Sequence, residues 1–121
     1  IYSLANFALD LKMDEAHAKS RGFREIQKLN PDWIPDLNSS YNFPPDSAMS
    51  FAVEAEIDGG RLVDLALVPV FIERDAKPRF VPSDDPKYDR TISYLRTITA
   101  EAGFATVYEA DGDVIRPRST G

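Results

Sequence analysis

The sequence has no cysteine and only one histidine, His17. Without cysteine, disulfide bonds and thiolate metal sites are excluded, and cysteine usage cannot indicate the redox compartment. A single histidine excludes a multi-histidine zinc site within this chain and leaves any Ser-His-Asp arrangement dependent on His17 alone. Because His17 lies in a charged segment with helical spacing, we expect a solvated imidazole rather than a catalytic or metal-binding one.

Long apolar runs and phosphate-binding glycine motifs are also missing. No run approaches the ~20 apolar residues that cross a bilayer, and the first residues lack the basic-then-apolar pattern of a signal peptide. Gly59–Gly60 lies between two strand-like runs rather than between a strand and a helix, so nucleotide binding has no support. Acidic residues outnumber Lys and Arg by 20 to 14. This excess would repel a phosphate backbone, and we expect no nucleic-acid partner.

The composition is that of a globular protein, with 43% hydrophobic and 28% charged residues in a chain of 121. This length predicts a single domain, residues 1–121, with one core. Local patterns predict an α+β fold in which antiparallel β-hairpins pack with one or two helices. One helix is predicted from its cap at Asp14 to about Leu29, with Gly22 as the point where it would weaken or split. Its apolar face is predicted to contain Met13, Ala16, Phe23, Ile26 and Leu29.

Two hairpins and a second helix follow from turn and cap signals. Alternation over Ser50–Ile57, with Phe51, Val53, Ala55 and Ile57 on the predicted buried face, leads into an Asp-Gly-Gly turn and the strand Arg61–Glu73. Within that strand, Pro69 implies a bulge, an edge or a strand end. A helix over Tyr88–Gly103 is predicted after a cap at Asp84 or Asp85. Residues 105–109 and 114–116 predict a short second hairpin.

The segment 29–50 contains four prolines among polar turn residues and is predicted to be a long loop. We expect Trp33, Ile34, Tyr41 and Phe43 to pin it to the body of the protein. The alternative is that Trp33, Tyr41 and Phe43 are exposed and bind a peptide, a glycan or a neighbouring subunit. In that case the chain would be an independent protein- or glycan-interaction module.

Carboxylates are plentiful, and each group has a structural interpretation that we favour. Asp84, Asp85 and Asp89 fit a helix start, where negative charge complements the helix dipole. The Glu109–Asp113 segment resembles a hairpin turn more than a calcium loop, because its glycine is misplaced and the terminal glutamate is missing. Glu54 and Glu56, on the polar face of one strand, are expected to contribute solubility rather than acid-base catalysis.

The first ten residues, Ile1–Asp10, read IYSLANFALD and resemble the "YSLGNFxFD" segment of the CapA-type poly-γ-glutamate capsule-biosynthesis family, whose members are similar to calcineurin-like metallophosphoesterases. The order of later elements is also similar: a strand and Gly-rich turn (51–60), a strand containing Pro-Val (63–72), and a helix ending near a glycine (88–103). The chain departs from the pattern at Ala5, where the family usually has glycine, and in its long loop.

The resemblance implies a fold and a place for the chemistry. In that family the metal-binding motifs precede the "YSLGNF" segment, so the chain would be the C-terminal part of a calcineurin-like β-sandwich. It would contain no catalytic residue and no metal or cofactor site, and it would be inactive alone, whereas divalent ions would bind upstream in a phosphoesterase-like parent. The apolar start at Ile1 also suggests removed upstream sequence, with a processed terminus as the alternative.

Within the resemblance, Ser3, Asn6 and Asp10 are the residues expected to lie near the parent's site. Asn6 matches the family's asparagine and would orient a ligand through its amide, or else cap the strand end. The expected partners are the missing N-terminal part, capsule-synthesis proteins, and other copies of the chain, since unpaired strand edges favour association. The parent would be cytoplasmic or associated with the cell envelope.

Overall fold

The computed structural model describes residues 9–119 and confirms the α+β class. Three α-helices, five strands and one 3-10 turn lie in this part of the chain. In chain order they are α1 (Glu15–Ala18), α2 (Arg21–Leu29), the 3-10 turn (Pro45–Ala48), β1 (Met49–Asp58), β2 (Arg61–Ile72), β3 (Pro78–Phe80), α3 (Pro86–Glu101), β4 (Thr106–Asp111) and β5 (Val114–Ser119). The strand order is β1-β2-β5-β4, with β3 also paired to β2.

The chain divides into two compact units, each with its own apolar cluster. The first unit contains the residues up to Ser50 together with Ile72–Arg79, and the second contains Phe51–Phe71 and the residues from Phe80 onward. Within residues 9–119, no helix has both the length and the apolar character that a bilayer span requires.

In the second unit, helix α3 forms as its cap signals predict. The Asp85 carboxylate accepts a hydrogen bond from the Lys87 N–H at 2.9 Å, Pro86 occupies the first turn, and Gly103, with φ 74°, follows the C-cap. These features set both ends of the helix. The buried core cluster of this unit contains Val81, Tyr88, Ile92, Leu95 and Ile115.

Both predicted hairpins are present. Gly59 and Gly60 have φ of 54° and 77°, as a two-residue turn between twisted strands requires. The second hairpin pairs Thr106 with Ser119 through to Asp111 with Val114, so β5 is longer than the predicted 114–116. Pro69 does not end β2, because the strand continues to Ile72 and the Pro69 carbonyl accepts from the Val81 N–H at 2.9 Å.

The predicted burial of alternate β1 residues is wrong for the second half of the strand. Every residue from Glu54 to Asp58 is exposed, and Ile57 retains 69% of its accessible surface. Alternation separates the two faces of a strand, but burial also requires another layer over one of them. The end of the β1–β2 hairpin lacks that layer within residues 9–119.

The predicted helix from Asp14 to Leu29 is broken into α1 and α2. The break falls at Lys19-Ser20 rather than at Gly22, because the Ser20 hydroxyl accepts from the Phe23 N–H at 3.2 Å and begins a new helix. A serine side chain competes with the backbone in this way.

The predicted apolar face of this segment is only partly correct. Met13 and Phe23 are buried in the cluster of the first unit together with Trp33. In contrast, Ala16 is exposed, and Ile26 and Leu29 are 50% and 82% exposed.

The loop after α2 is pinned by two of the four predicted residues. Trp33 packs edge-on against Phe23 with ring centroids 5.0 Å apart. Tyr41 is buried, donates its hydroxyl to the Ser47 carbonyl at 2.8 Å, and contacts the half-buried Phe43 with ring centroids 4.7 Å apart. The prediction is wrong for Ile34, which is exposed.

Candidate functional site: the anchor behind Asp10

Of the residues expected near a site, Ser3 and Asn6 lie outside the described residues. Asp10 is exposed and immediately precedes Leu11, whose backbone is fixed on both sides. The Leu11 N–H donates to the Ser40 carbonyl at 2.8 Å, and the Leu11 carbonyl accepts from the Asn42 N–H at 3.1 Å. These bonds form a parallel bridge between Leu11 and Tyr41. The carboxylate of Asp10 is therefore solvated, but the backbone that carries it is anchored.

We call the hydrogen bonds that hold Leu11 on residues 36–42 the anchor, and Asn42 is its central residue. It is only 3% exposed, and its side-chain amide donates to the Leu11 carbonyl at 3.2 Å and to the Ser39 carbonyl at 3.0 Å. The amide oxygen accepts from the Asp36 N–H at 2.9 Å. Because an amide offers two donors and an acceptor on one planar group, no other side chain of this size satisfies all three partners.

The loop that contains Asn42 also holds the tip of the β2–β3 hairpin. The Arg74 carbonyl accepts from the Ser40 N–H at 2.7 Å and from the Ser39 hydroxyl at 3.1 Å. The Arg74 guanidinium pairs with Asp36 at 2.7 Å. At the same tip Ala76 has φ 59°, a left-handed conformation that disfavours residues with a Cβ. Residues 36–42 thus connect the segment after Asp10 to this hairpin.

The side chains of the other candidate residues within 9–119 take no part in this hydrogen-bond network. His17 is exposed on α1 and lies edge-on to Phe23, with ring centroids 6.3 Å apart. Trp33 and Tyr41 are each only 9% exposed, so they do not form the exposed aromatic surface on which the interaction-module alternative depends. No group of three or more potential metal ligands occurs within the part of the chain that the structure describes.

A second polar cluster, which sequence reasoning missed, is centred on Arg116 in the second unit. Its guanidinium donates to Asp111 on β4 at 2.6 Å and also to Asp64 on β2. The hydrogen bond from Arg116 lowers the pKa of Asp64, and the two carboxylates raise the pKa of Arg116. A cleft of about 230 Å³ beside this cluster is lined by Glu54, Ala55, Glu56, Asp64, Ala66 and Arg116.

Removing the guanidinium should change how stability depends on pH. A carboxylate with a lowered pKa stabilises the fold above its unfolded pKa of about 3.9 and loses that contribution as pH falls through the folded pKa. We therefore expect Arg116→Gln to make the fall in unfolding free energy between about pH 5 and pH 2 less steep.

Urea denaturation followed by circular dichroism measures this slope. The matched control is Arg61→Gln, which removes an exposed arginine at the start of β2. If the unfolding free energy of Arg116→Gln falls with pH as steeply as that of the wild-type protein, Arg116 does not lower the pKa of Asp64.

Two other acidic residues, Asp85 and Asp113, have structural roles in the second unit. Asp85 caps α3, and Gly112–Asp113 is the turn of the β4–β5 hairpin, with Glu109 and Asp111 still in β4. Asp113 accepts from both the N–H and the hydroxyl of Ser83, each at 2.8 Å, and these bonds lower its pKa. Asp113 therefore fixes the segment that leads into α3.

Comparison with known proteins adds no relative: no family model, no curated protein and no solved structure matches this chain.

Proposed function

We propose that this chain is the C-terminal part of a CapA-like protein of poly-γ-glutamate capsule biosynthesis, and that it completes a metallophosphoesterase-like domain. The observation that carries the proposal is the IYSLANFALD segment at Ile1–Asp10, followed by β1, by β2 with its Pro69-Val70 pair, and by α3 ending before Gly103. This is the order of elements in the family that the segment resembles. The strand and helix assignments of the structure support it.

In this proposal the described residues act as a scaffold for the segment that ends at Asp10. The hydrogen bonds of Leu11 with Ser40 and Asn42 fix the backbone directly after that segment. A residue that orients a metal ligand must be held to within a fraction of an ångström, and this requires a rigid supporting network. The buried amide of Asn42 provides such a network at the end of the motif.

The chemistry itself is assigned to the upstream part of the parent. Two divalent cations bound there would polarise a phosphoryl group and supply a hydroxide nucleophile. The side chain of Asn6 would orient one of the ligands of those ions, with Ser3 and Asp10 nearby. The chain examined in isolation would then lack phosphoesterase activity.

Replacing Asn6 by alanine in the longer protein tests this assignment. We expect metal affinity or phosphodiester turnover to fall about 10- to 100-fold, the usual effect of losing a group that orients a metal ligand. Metal content by mass spectrometry and hydrolysis of bis(p-nitrophenyl) phosphate are the measurements.

The matched control for this experiment is Asn38→Ala, which removes an exposed asparagine from the loop. Unchanged metal content and turnover in the Asn6 variant would remove Asn6 from the site.

A further inference from the structure

Strand β1 has an unpaired side within the described sheet. It stands at the end of the strand order β1-β2-β5-β4, so one row of its backbone N–H and C=O groups has no strand neighbour among residues 9–119. The strand is ten residues long, and its second half, from Glu54 to Asp58, is exposed. An edge of this kind is a template for the addition of another strand.

Two common features that block such an edge, lysine and proline, are missing from β1. Proteins commonly protect edges with charged side chains, lysine above all, with proline or a bulge, or by keeping the strand very short. The sequence of β1, MSFAVEAEID, contains neither lysine nor proline, and its only charges are the carboxylates of Glu54, Glu56 and Asp58. The edge therefore discourages negatively charged strands but not positively charged ones.

The carboxylates of β1 also differ from the acidic residues nearby in their ion pairing. Asp64 and Asp111 both pair with Arg116, and Glu109 lies 3.5 Å from Arg118. In the structure of residues 9–119, Glu54, Glu56 and Asp58 take part in no ion pair. Glu54 and Glu56 line the cleft of about 230 Å³ beside Arg116, so a basic side chain entering it would meet uncompensated negative charge.

The positions between the acids are apolar. Val53, Ala55 and Ile57 alternate with Glu54, Glu56 and Asp58, and Ile57 is 69% exposed. Opposite charges on facing strands stabilise a pair, and like charges destabilise it. The complementary strand therefore alternates basic residues with apolar ones.

We infer that the edge of β1 binds an extended segment of another protein in which Lys or Arg alternates with apolar residues. The bound segment adds a strand to the sheet, its backbone pairs with β1, and its basic side chains face Glu54 and Glu56. A second copy of this chain is a poorer occupant, because pairing two β1 strands brings two sets of carboxylates together. This inference does not depend on the proposed phosphoesterase relationship.

Three labelled peptides of ten residues test the inference on the full chain. The first alternates Lys and Val, the second has the same charge but proline in place of the two central valines, and the third has Glu in place of Lys. We expect fluorescence anisotropy to detect binding of the first peptide only, because proline prevents strand pairing. Hydrogen–deuterium exchange should slow in residues 49–58 when that peptide binds.

The double variant Glu54→Gln with Glu56→Gln keeps the strand but removes the charges. We expect it to weaken binding of the Lys-Val peptide about twofold to thirtyfold, the range for two cross-strand charge pairs. The control double variant Glu25→Gln with Glu101→Gln removes two exposed charges from helices and should leave the affinity unchanged.

Four results would overturn the inference: no binding of the Lys-Val peptide, equal binding of the proline peptide, an unchanged affinity in the β1 variant, or protection of β1 amides by self-association without peptide.

Discussion

Alanine in place of Ile115 is expected to lower the free energy of unfolding by about 3–5 kcal/mol, the upper part of the range for removing a buried branched side chain. Ile115 is fully buried and lies in the core cluster of the second unit with Val81, Tyr88, Ile92 and Leu95. It also pairs with Leu67, and this pair sets the register between β5 and β2. The cavity left by the change would therefore lie between the sheet and α3, where the backbone is held on both sides.

Urea denaturation followed by far-UV circular dichroism measures this loss. Ile57→Ala is the matched control, because it makes the same chemical change at an exposed position and should cost less than about 0.5 kcal/mol. Similar losses for the two variants would show that the cluster around Ile115 is not the core of the second unit.

The second large effect is expected at Asn42. Asn42→Ala removes three side-chain hydrogen bonds and leaves the Asp36 N–H and the carbonyls of Leu11 and Ser39 without those partners. Unsatisfied buried groups cost about 1–3 kcal/mol each when no water replaces the partner. The Leu11 carbonyl keeps its bond from the Asn42 N–H. We therefore expect the free energy of unfolding of the first unit to fall by about 2–4 kcal/mol.

Trp33 provides the probe for this change. It is the only tryptophan of the chain and is buried in the cluster of the first unit, so its fluorescence reports the unfolding of that unit. Asn38→Ala, at an exposed position of the same loop, is the control and should be nearly neutral. A loss below about 0.5 kcal/mol for Asn42→Ala, within the range of surface substitutions, would mean that the loop is held by other contacts.

The sequence predicted those elements whose ends are set by neighbouring residues. Helix α3 has its cap at Asp85 and its terminating glycine at Gly103, and the first hairpin has its turn at Gly59–Gly60. Such signals act over a few residues and need no knowledge of the fold. The break at Ser20 was missed because a serine inside an apolar periodic pattern either caps a new helix or points to solvent, and the pattern does not distinguish these.

The anchor behind Asp10 and the Arg116 cluster depend on contacts between distant residues. Asn42 bonds to Leu11, 31 positions away, and Ser39 bonds to Arg74, 35 positions away. Arg116 reaches Asp64 across 52 positions. Polar residues in a proline-rich loop or on a short strand have no periodic signal, so their partners became visible only in the folded chain.

The aromatic residues of the long loop likewise depend on contacts that the sequence pattern does not contain. Aromatic residues in a long loop are equally consistent with an exposed binding surface and with a loop packed on its own unit. The contacts of Trp33 with Phe23 and of Tyr41 with Ser47 decide this point in favour of packing.

In the proposed function, this chain supports a site whose metal ligands belong to the upstream part of a longer parent protein. This proposal is tested by purifying residues 1–121 and the longer protein side by side, then measuring bound divalent metal and hydrolysis of bis(p-nitrophenyl) phosphate. We expect about two bound ions per chain and phosphodiester turnover for the longer protein only, as a two-metal site requires. Two tightly bound ions and turnover in the 121-residue chain, or neither property in the longer protein, would contradict it.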